Sequence, residues 1–336
     1  MKFSLTYIIN LLLATTSKYP APGPCTGDCW AHDPSLYQRQ TDRRYFRFSS
    51  QDGIHIHEAD SISGPWKATG VAFANGSIIQ HRGRTKLWAP DVHYEPELKK
   101  YHMYYAVSTR GSHDSVIGVA SSPDMTPGSW ADHGAVLHST DKSRYNAIDA
   151  NWISVNGKPY INFGSYWDGI FQVPLEMDKK DPNKVTIKVE PGRSGAGPSL
   201  SNLAYNATGN HHIEGAFMFK HQEWFFLLFS SGKANGYEKN MLAQGEEYRI
   251  VMCRSKSSEG DFVDKAGKSC LKSGGTTLLA SHENIYGPGG QGVFEDKEYG
   301  HVLYYHYADK NIGMSRFQYQ LGWNRLEWKE SWPIVV

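Results

Sequence analysis

Beyond its first sixteen residues, this 336-residue chain has no run apolar enough for a membrane helix, and helical periodicity is nearly absent. It has no excess of either charge. Lys and Arg number 35 against 34 Asp and Glu, which leaves no electrostatic footprint for nucleic acid or an anionic membrane. Three common catalytic devices are also missing: a Ser nucleophile elbow, a phosphate-cradling loop and a His-Glu-x-x-His zinc helix. Cysteine is scarce. Cys25, Cys29, Cys253 and Cys270 lack the second close Cys or His pair of a zinc site.

What is present begins with a leader. Met1 to Thr16 place one Lys before a short apolar stretch, Leu5 to Ala14, followed by small polar residues. That is the layout of a secretory signal peptide. Pro20, Pro22 and Pro24 follow at once and break any helix. Residues 1–18 are expected to be removed, with cleavage between Ala14 and Tyr19, leaving 19–336 as a single catalytic domain secreted to the extracellular space. Four cysteines in an exported chain suggest two disulfides. Three pairings are open, and the local one, Cys25 with Cys29 and Cys253 with Cys270, is the expectation. Asn75-Gly-Ser77 and Asn206-Ala-Thr208 read as N-glycosylation sites.

Short aromatic and β-branched runs dominate the rest. Five look alike: Tyr45–Ser50, Tyr101–Ser108, Pro159–Ser165, Glu223–Ser230 and His301–Ala308. Their starts lie roughly 55 to 80 residues apart, the spacing of propeller blades. A second strand is expected after each, at 53–56, 116–120, 169–173, 248–252 and 311–315. Turns with a late aromatic follow in some units, as at Trp66 and Trp130. These patterns predict an all-β, five-bladed β-propeller with four strands per blade, closed between the two ends of the chain.

A shorter strand precedes each run and carries a polar residue: Asp33, Asp91, Asp149, Glu214 and Gln291. One Asp at a strand start is ordinarily a turn former. Four acids in register on successive innermost strands would crowd like charge at the channel mouth, which is costly unless something uses it. Several carboxyls there suit two chemistries, divalent-cation binding and acid–base cleavage of a glycosidic bond. His55 and His57 share one strand face and read as surface residues rather than a metal pair.

The runs His32-Asp33-Pro34, Trp88-Ala89-Pro90-Asp91-Val92, Tyr145-Asn146-Ala147-Ile148-Asp149, Ile213-Glu214-Gly215-Ala216 and Tyr286–Val293 resemble glycoside hydrolase family 43, in particular its fungal endo-1,5-α-L-arabinanases. Leu303–Tyr307 and Gly322-Trp323-Asn324 extend the likeness, which covers the chain from about Cys25 onward. The resemblance implies Asp33 as general base, Asp149 as modulator of the acid's pKa and Glu214 as general acid. It implies inversion at the anomeric carbon and linear arabinan as substrate. A monomer is expected. Trp88, Asp91, Asn146, Ser165, Trp167 and Gln291 are the expected substrate contacts, with Tyr166 beside them. No cofactor is required, and a structural ion in the channel is left open, because Gly290-Gln291 stands where bacterial relatives carry His-Asn. Three further departures stand out: Ala150 in place of Pro, Arg110 in place of an aromatic, and no Cys-Cys pair near Gly236-Tyr237. An exo-acting arabinofuranosidase or β-xylosidase shares the same trio. A non-catalytic sugar-binding propeller would have lost one of the three acids.

Overall fold

The structure is a computed structural model and describes residues 18–177, 185–187, 200–207 and 212–336. Apart from Lys18, the expected leader lies outside these residues. The chain is built from five consecutive antiparallel sheets. The first blade holds β1 (Ser35–Gln38), β2 (Tyr45–Ser50), β3 (Ile54–Ala59) and β4 (Lys67–Val71), hydrogen-bonded in that order. The second holds β5 (Trp88–Glu95), β6 (Lys100–Val107), β7 (Ser115–Ser122) and β8 (Ala131–Ser139). The third starts with β9 (Asn151–Val155), β10 (Lys158–Phe163) and β11 (Ile170–Met177). Its outer edge is divided between β12 (Val185–Ile187) and β13 (Ser201–Ala204), both paired with β11, so this blade has five strands rather than the expected four.

The fourth blade holds β14 (Ile213–His221), β15 (Trp224–Ser231), β16 (Arg249–Ser255) and β17 (Thr276–Leu279), with the one-turn α1 (Cys270–Ser273) before the last strand. The fifth holds β18 (Ile285–Asp296), β19 (Gly300–Asp309), β20 (Gln320–Lys329) and β21 (Trp332–Val335). Here the expected second strand at 311–315 is displaced. The Asp309 side chain accepts from the Asn311 amide and its carbonyl from Ile312 and Gly313, which ties the segment into a turn. The strand begins only at Gln320.

The middle strands read as unbroken apolar runs because both faces of each blade are covered. In β15, Phe225, Leu227 and Phe229 pack toward the third blade with Ile153, Tyr160 and Ile170. Phe226 and Leu228 point the other way, into a cluster with Val293, Leu303 and Tyr305 of the fifth blade. Equivalent clusters fill the remaining junctions, around Phe46, Phe48, Val92 and Met103, around Tyr104, Ile117, Ile161 and Phe163, and around Leu36, Tyr45, Val302 and Tyr304. Burying a side chain of this size contributes about 1.5–3 kcal/mol, so five such layers hold the ring. Ala150, the departure from Pro, packs into one of them.

No strand is shared across the join between the first and fifth blades. The segment before β1 lies along β20 instead: Gly23 donates to the Trp323 carbonyl at 2.7 Å, Leu321 to Cys29 at 2.8 Å and Ala31 to Tyr319 at 3.0 Å. Cys25–Cys29 sits in this closing segment, and Cys253–Cys270 ties β16 to α1. The second bridge spans 17 residues, a loop for which cross-linking contributes about 3 kcal/mol. His57 corrects its reading as a surface residue. It is buried, meets Asp28 at 3.1 Å and lies near the buried Arg47, and burial pushes its pKa down to about 4.

Each innermost strand has the same irregularity. β5, β14 and β18 bulge at Ala89-Pro90, Gly215-Ala216 and Gly290-Gln291, while β1 and β9 begin pairing just after Asp33-Pro34 and Asp149-Ala150. The first residue of every pair has positive φ: Asp33 44°, Ala89 40°, Asp149 56°, Gly215 65° and Gly290 58°. A left-handed residue here bends the strand out of the ladder and aims side chains into the channel. Two places further on, Ser35 Oγ accepts from the Val92 amide, Asp91 Oδ2 from Trp152 and Asn151 Oδ1 from Met218. That position fastens each of the first three blades to the next.

Candidate active site

The bulge alignment separates the four acids. Asp33 and Asp149 occupy the left-handed position itself. Glu214 precedes it, in line with His32, Trp88 and Ile148, and so projects to the open face. Asp91 comes two residues after it, in line with Ser35 and Asn151, and is spent on fastening blades. The acids are therefore not in register, contrary to the sequence expectation, and three of them meet where four were expected.

Asp33 is held by two imidazoles. Its Oδ2 lies 3.0 Å from His32 Nδ1, and its amide donates to His306 Nδ1 at 3.0 Å. His32, His306 and Tyr319 lie near-parallel, each ring within 5.0 to 5.8 Å of the other two. Gly290 makes this contact feasible: a Cβ there would stand 2.7 Å from both Asp33 Oδ1 and His306 Nδ1. That accounts for glycine at this position. Burial alone would raise the Asp33 carboxyl. His32, with His306 and Arg316 behind it, outweighs burial and holds its pKa at about 2. Asp33 is an ionised acceptor at any working pH.

Glu214 has the opposite character. Tyr248 and Ser165 each donate to one of its oxygens, Ser165 at 2.7 Å. These donors favour the charged form, yet burial outweighs them and, with the Asp33 charge, raises the pKa. Asp149 accepts from the Gly215 amide at 3.1 Å, and burial, then Glu214 and then Asp33, push it far above the ordinary range. Glu214 and Asp149 thus form a buried pair in which one ionisation opposes the other. Asp149 is raised further than Glu214, so it keeps the pair's proton while Glu214 ionises, and burial and the Asp33 charge are what raise Glu214. Asp149→Asn should therefore leave the alkaline limb of the kcat/KM profile in place. A limb that moved to lower pH would show that an Asp149 charge acts on Glu214.

The three carboxyls open onto a cleft with two adjoining cavities of about 450 and 530 Å³. Glu214, Trp88, Arg110 and Asn235 border both; Asp33, Asp149 and Phe317 border the first, and Asn146, Ser165, Tyr166 and Trp167 the second. Trp167 is 42% exposed and stacks on His113 at 3.9 Å, and Phe317 is 51% exposed. Asn146 lines the second cavity, and its Oδ1 is buried without a partner. Arg110 donates to Asn235 across the cleft at 2.9 Å. It forms cleft wall where the resemblance suggests an aromatic ring.

Two expected substrate contacts are placed elsewhere. Asp91 and Gln291 line a channel cavity of about 50 Å³ beneath the cleft, roomy only for water. Burial pushes Asp91 up to about 7, and Gln291 accepts from Ser230 and donates to the Gly215 carbonyl at 2.6 Å. Both are braces, and Gln291 holds the bulge that carries Glu214. Ser165 also differs, as its hydroxyl is occupied by Glu214. Tyr248, His306, Arg316 and Phe317 were not singled out from the sequence as site residues. The channel does not fit a protein-held cation. Among the described residues, no three ligand atoms of His, Cys, Asp or Glu converge there. His306 Nδ1 is taken by the Asp33 amide, which leaves at most its buried Nε2.

A propeller that sets an ionised carboxylate and a carboxyl of raised pKa across an open cleft has the parts of an acid–base glycoside hydrolase. Residues 28–333 match the family described as glycosyl hydrolases family 43, and the chain belongs to that family. It is 54% identical over 336 residues to arabinan endo-1,5-alpha-L-arabinosidase C of Emericella nidulans, covering all of both chains. It is likewise 54% identical to a probable arabinan endo-1,5-alpha-L-arabinosidase C of Aspergillus terreus, over 98% of each chain. The solved arabinanase of Bacillus subtilis superposes with a TM-score of 0.75 at 28% identity, covering 92% of this chain and 98% of that one.

Proposed function

We propose that the protein is a secreted, monomeric endo-1,5-α-L-arabinanase that cleaves linear arabinan internally with inversion. The observation that carries this is the pairing of Asp33, held ionised, with Glu214, whose pKa burial raises, at the middle of a cleft that continues on both sides. Asp33 takes a proton from water as the water oxygen bonds to the anomeric carbon. The bond to the leaving oxygen breaks, and that oxygen receives the Glu214 proton. Burial and the Asp33 charge raise the pKa of Glu214, with Asp149 beside it, while Tyr248 and Ser165 orient it.

Cavities on both flanks of Glu214 favour internal cleavage, since each is large enough for more than one sugar ring. Trp167 at one end and Phe317 at the other offer exposed ring faces on either side of the scissile bond. Export is supported by the two disulfides, which belong to an oxidising compartment. Asn75 is exposed and suits a glycan, whereas Asn206 is half-buried and packs near Gly274; Thr208 of its sequon lies outside the described residues.

Incubation with linear arabinan should release a ladder of oligomers from the first minutes, with little turnover of an aryl arabinofuranoside. Arabinose as the sole early product would favour the exo-acting reading. In the same assay, Trp167→Ala and Phe317→Ala should raise KM for long chains more than for short oligomers.

A further inference from the structure

A second cluster of chemically capable side chains lies outside the catalytic cleft. His81 comes from the connection between the first and second blades, Asp114 from the turn entering β7, and His138 from β8. Their ligand atoms all lie within 4.8 Å of one another. Asp114 Oδ1 stands 3.3 Å from His81 Nε2 and 2.7 Å from His138 Nε2. Ligands of one tetrahedral zinc stand about 3.3 Å apart, given metal–ligand bonds near 2.0–2.2 Å.

The protons on His81 decide what this geometry means. Its Nδ1 meets the Arg82 carbonyl at 2.9 Å. A carbonyl only accepts, so Nδ1 carries a hydrogen. That leaves Nε2 as the open ligand atom of the neutral ring, 3.3 Å from Asp114 Oδ1. It is buried and makes no well-aligned hydrogen bond with that oxygen. A lone pair and a carboxylate oxygen this close are stabilised by a cation bound to both. An Nδ1–H held by a backbone carbonyl is also the usual way a metal-bound imidazole is oriented.

We propose that His81, Asp114 and His138 form a binding site for a divalent transition-metal ion, with zinc(II) the best fit. Two imidazole nitrogens and one carboxylate select a borderline metal over calcium or magnesium, which prefer oxygen ligands. Asp114 and His138 are about half exposed, which leaves the solvent side of the ion to water. The site ties two segments of one cleft wall to each other and to β8. Gly83, Lys86 and Trp88 follow His81 into the cleft, and Ser108 to Arg110 precede Asp114 there. His113, adjacent to Asp114, carries the Trp167 stack. The ion fastens this wall and takes no part in the hydrolytic step.

Tag-free protein, stripped with a chelator and dialysed, is titrated with ZnCl2 and, separately, CaCl2. Zinc should bind one per chain by calorimetry and elemental analysis, and at a hundredfold excess over Kd raise Tm by about 3–8 °C. CaCl2 should give neither effect. CoCl2 should produce a visible absorption band from nitrogen and oxygen ligands. His81→Ala and His138→Ala should both lose the zinc and the Tm rise while keeping the wild-type circular dichroism. His138 is half exposed, so its replacement tests the site without opening the core. Absence of zinc binding in the wild type, or undiminished binding in folded His138→Ala, would overturn the site and leave a direct His81–Asp114 contact.

Discussion

Asp33→Asn should lower kcat by about 10²–10⁴-fold on linear arabinan and on an aryl arabinofuranoside alike. Asp33 is the one carboxyl of the cluster held far below its ordinary pKa, with His32 at one oxygen and His306 at its amide. Its task is to take a proton from water, and water must be activated whatever group departs. An amide in the same place keeps the shape and loses the basicity. Its depressed pKa means that the charged carboxylate stabilises the fold above its unfolded pKa, so Tm should fall at neutral pH and change little near pH 2. Added azide, which attacks without a base, should restore turnover in the variant and yield a product of inverted configuration. Loss confined to arabinan, or a product of retained configuration, would remove Asp33 from the role of base.

The apolar runs gave the blades away because a propeller blade has no solvent face over most of its width. Tyr45–Ser50 and Glu223–Ser230 read as strands without needing alternation. The segment 311–315 misled for a local reason. Its Ile-Gly-Met pattern suggests a strand, while the two Asp309 acceptors that turn it lie just ahead of it. In the third blade, the extra pairing of β12 and β13 leaves no trace in the repeat spacing.

The site was legible as a set of acids but not as an arrangement. A bulge shifts the facing of side chains by one residue, so Glu214, Asp149 and Asp91, which look equivalent in sequence, point to three different places. Ser35, Asp91 and Asn151 share a blade-fastening position although only one is acidic. A carboxylate there accepts the same backbone hydrogen as a hydroxyl or an amide. The partners that set the pKa values were harder to find. His306 lies 273 residues from Asp33, and Tyr248, just ahead of β16, lies 34 from Glu214. Only closure of the ring and the pairing register bring them together.

Glu214→Gln should separate the two halves of the reaction. On arabinan the leaving oxygen is an alkoxide in waiting, and without a proton its departure is slow, so kcat should fall by about 10²–10⁴-fold. A dinitrophenyl arabinofuranoside departs as a stable phenolate and should keep most of its rate, because water activation by Asp33 is untouched. The alkaline limb of the pH profile should vanish on that substrate, since the group that loses its proton there is gone. Stability supplies an independent check. A carboxyl whose folded pKa is raised opposes folding once pH exceeds its unfolded value, because ionising it costs more in the folded state. Replacing it with a neutral amide that still accepts from Tyr248 should leave Tm unchanged near pH 4 and raise it at pH 8. A variant that loses both substrates equally and melts earlier at pH 8 would place Glu214 in the architecture of the cleft rather than in proton transfer.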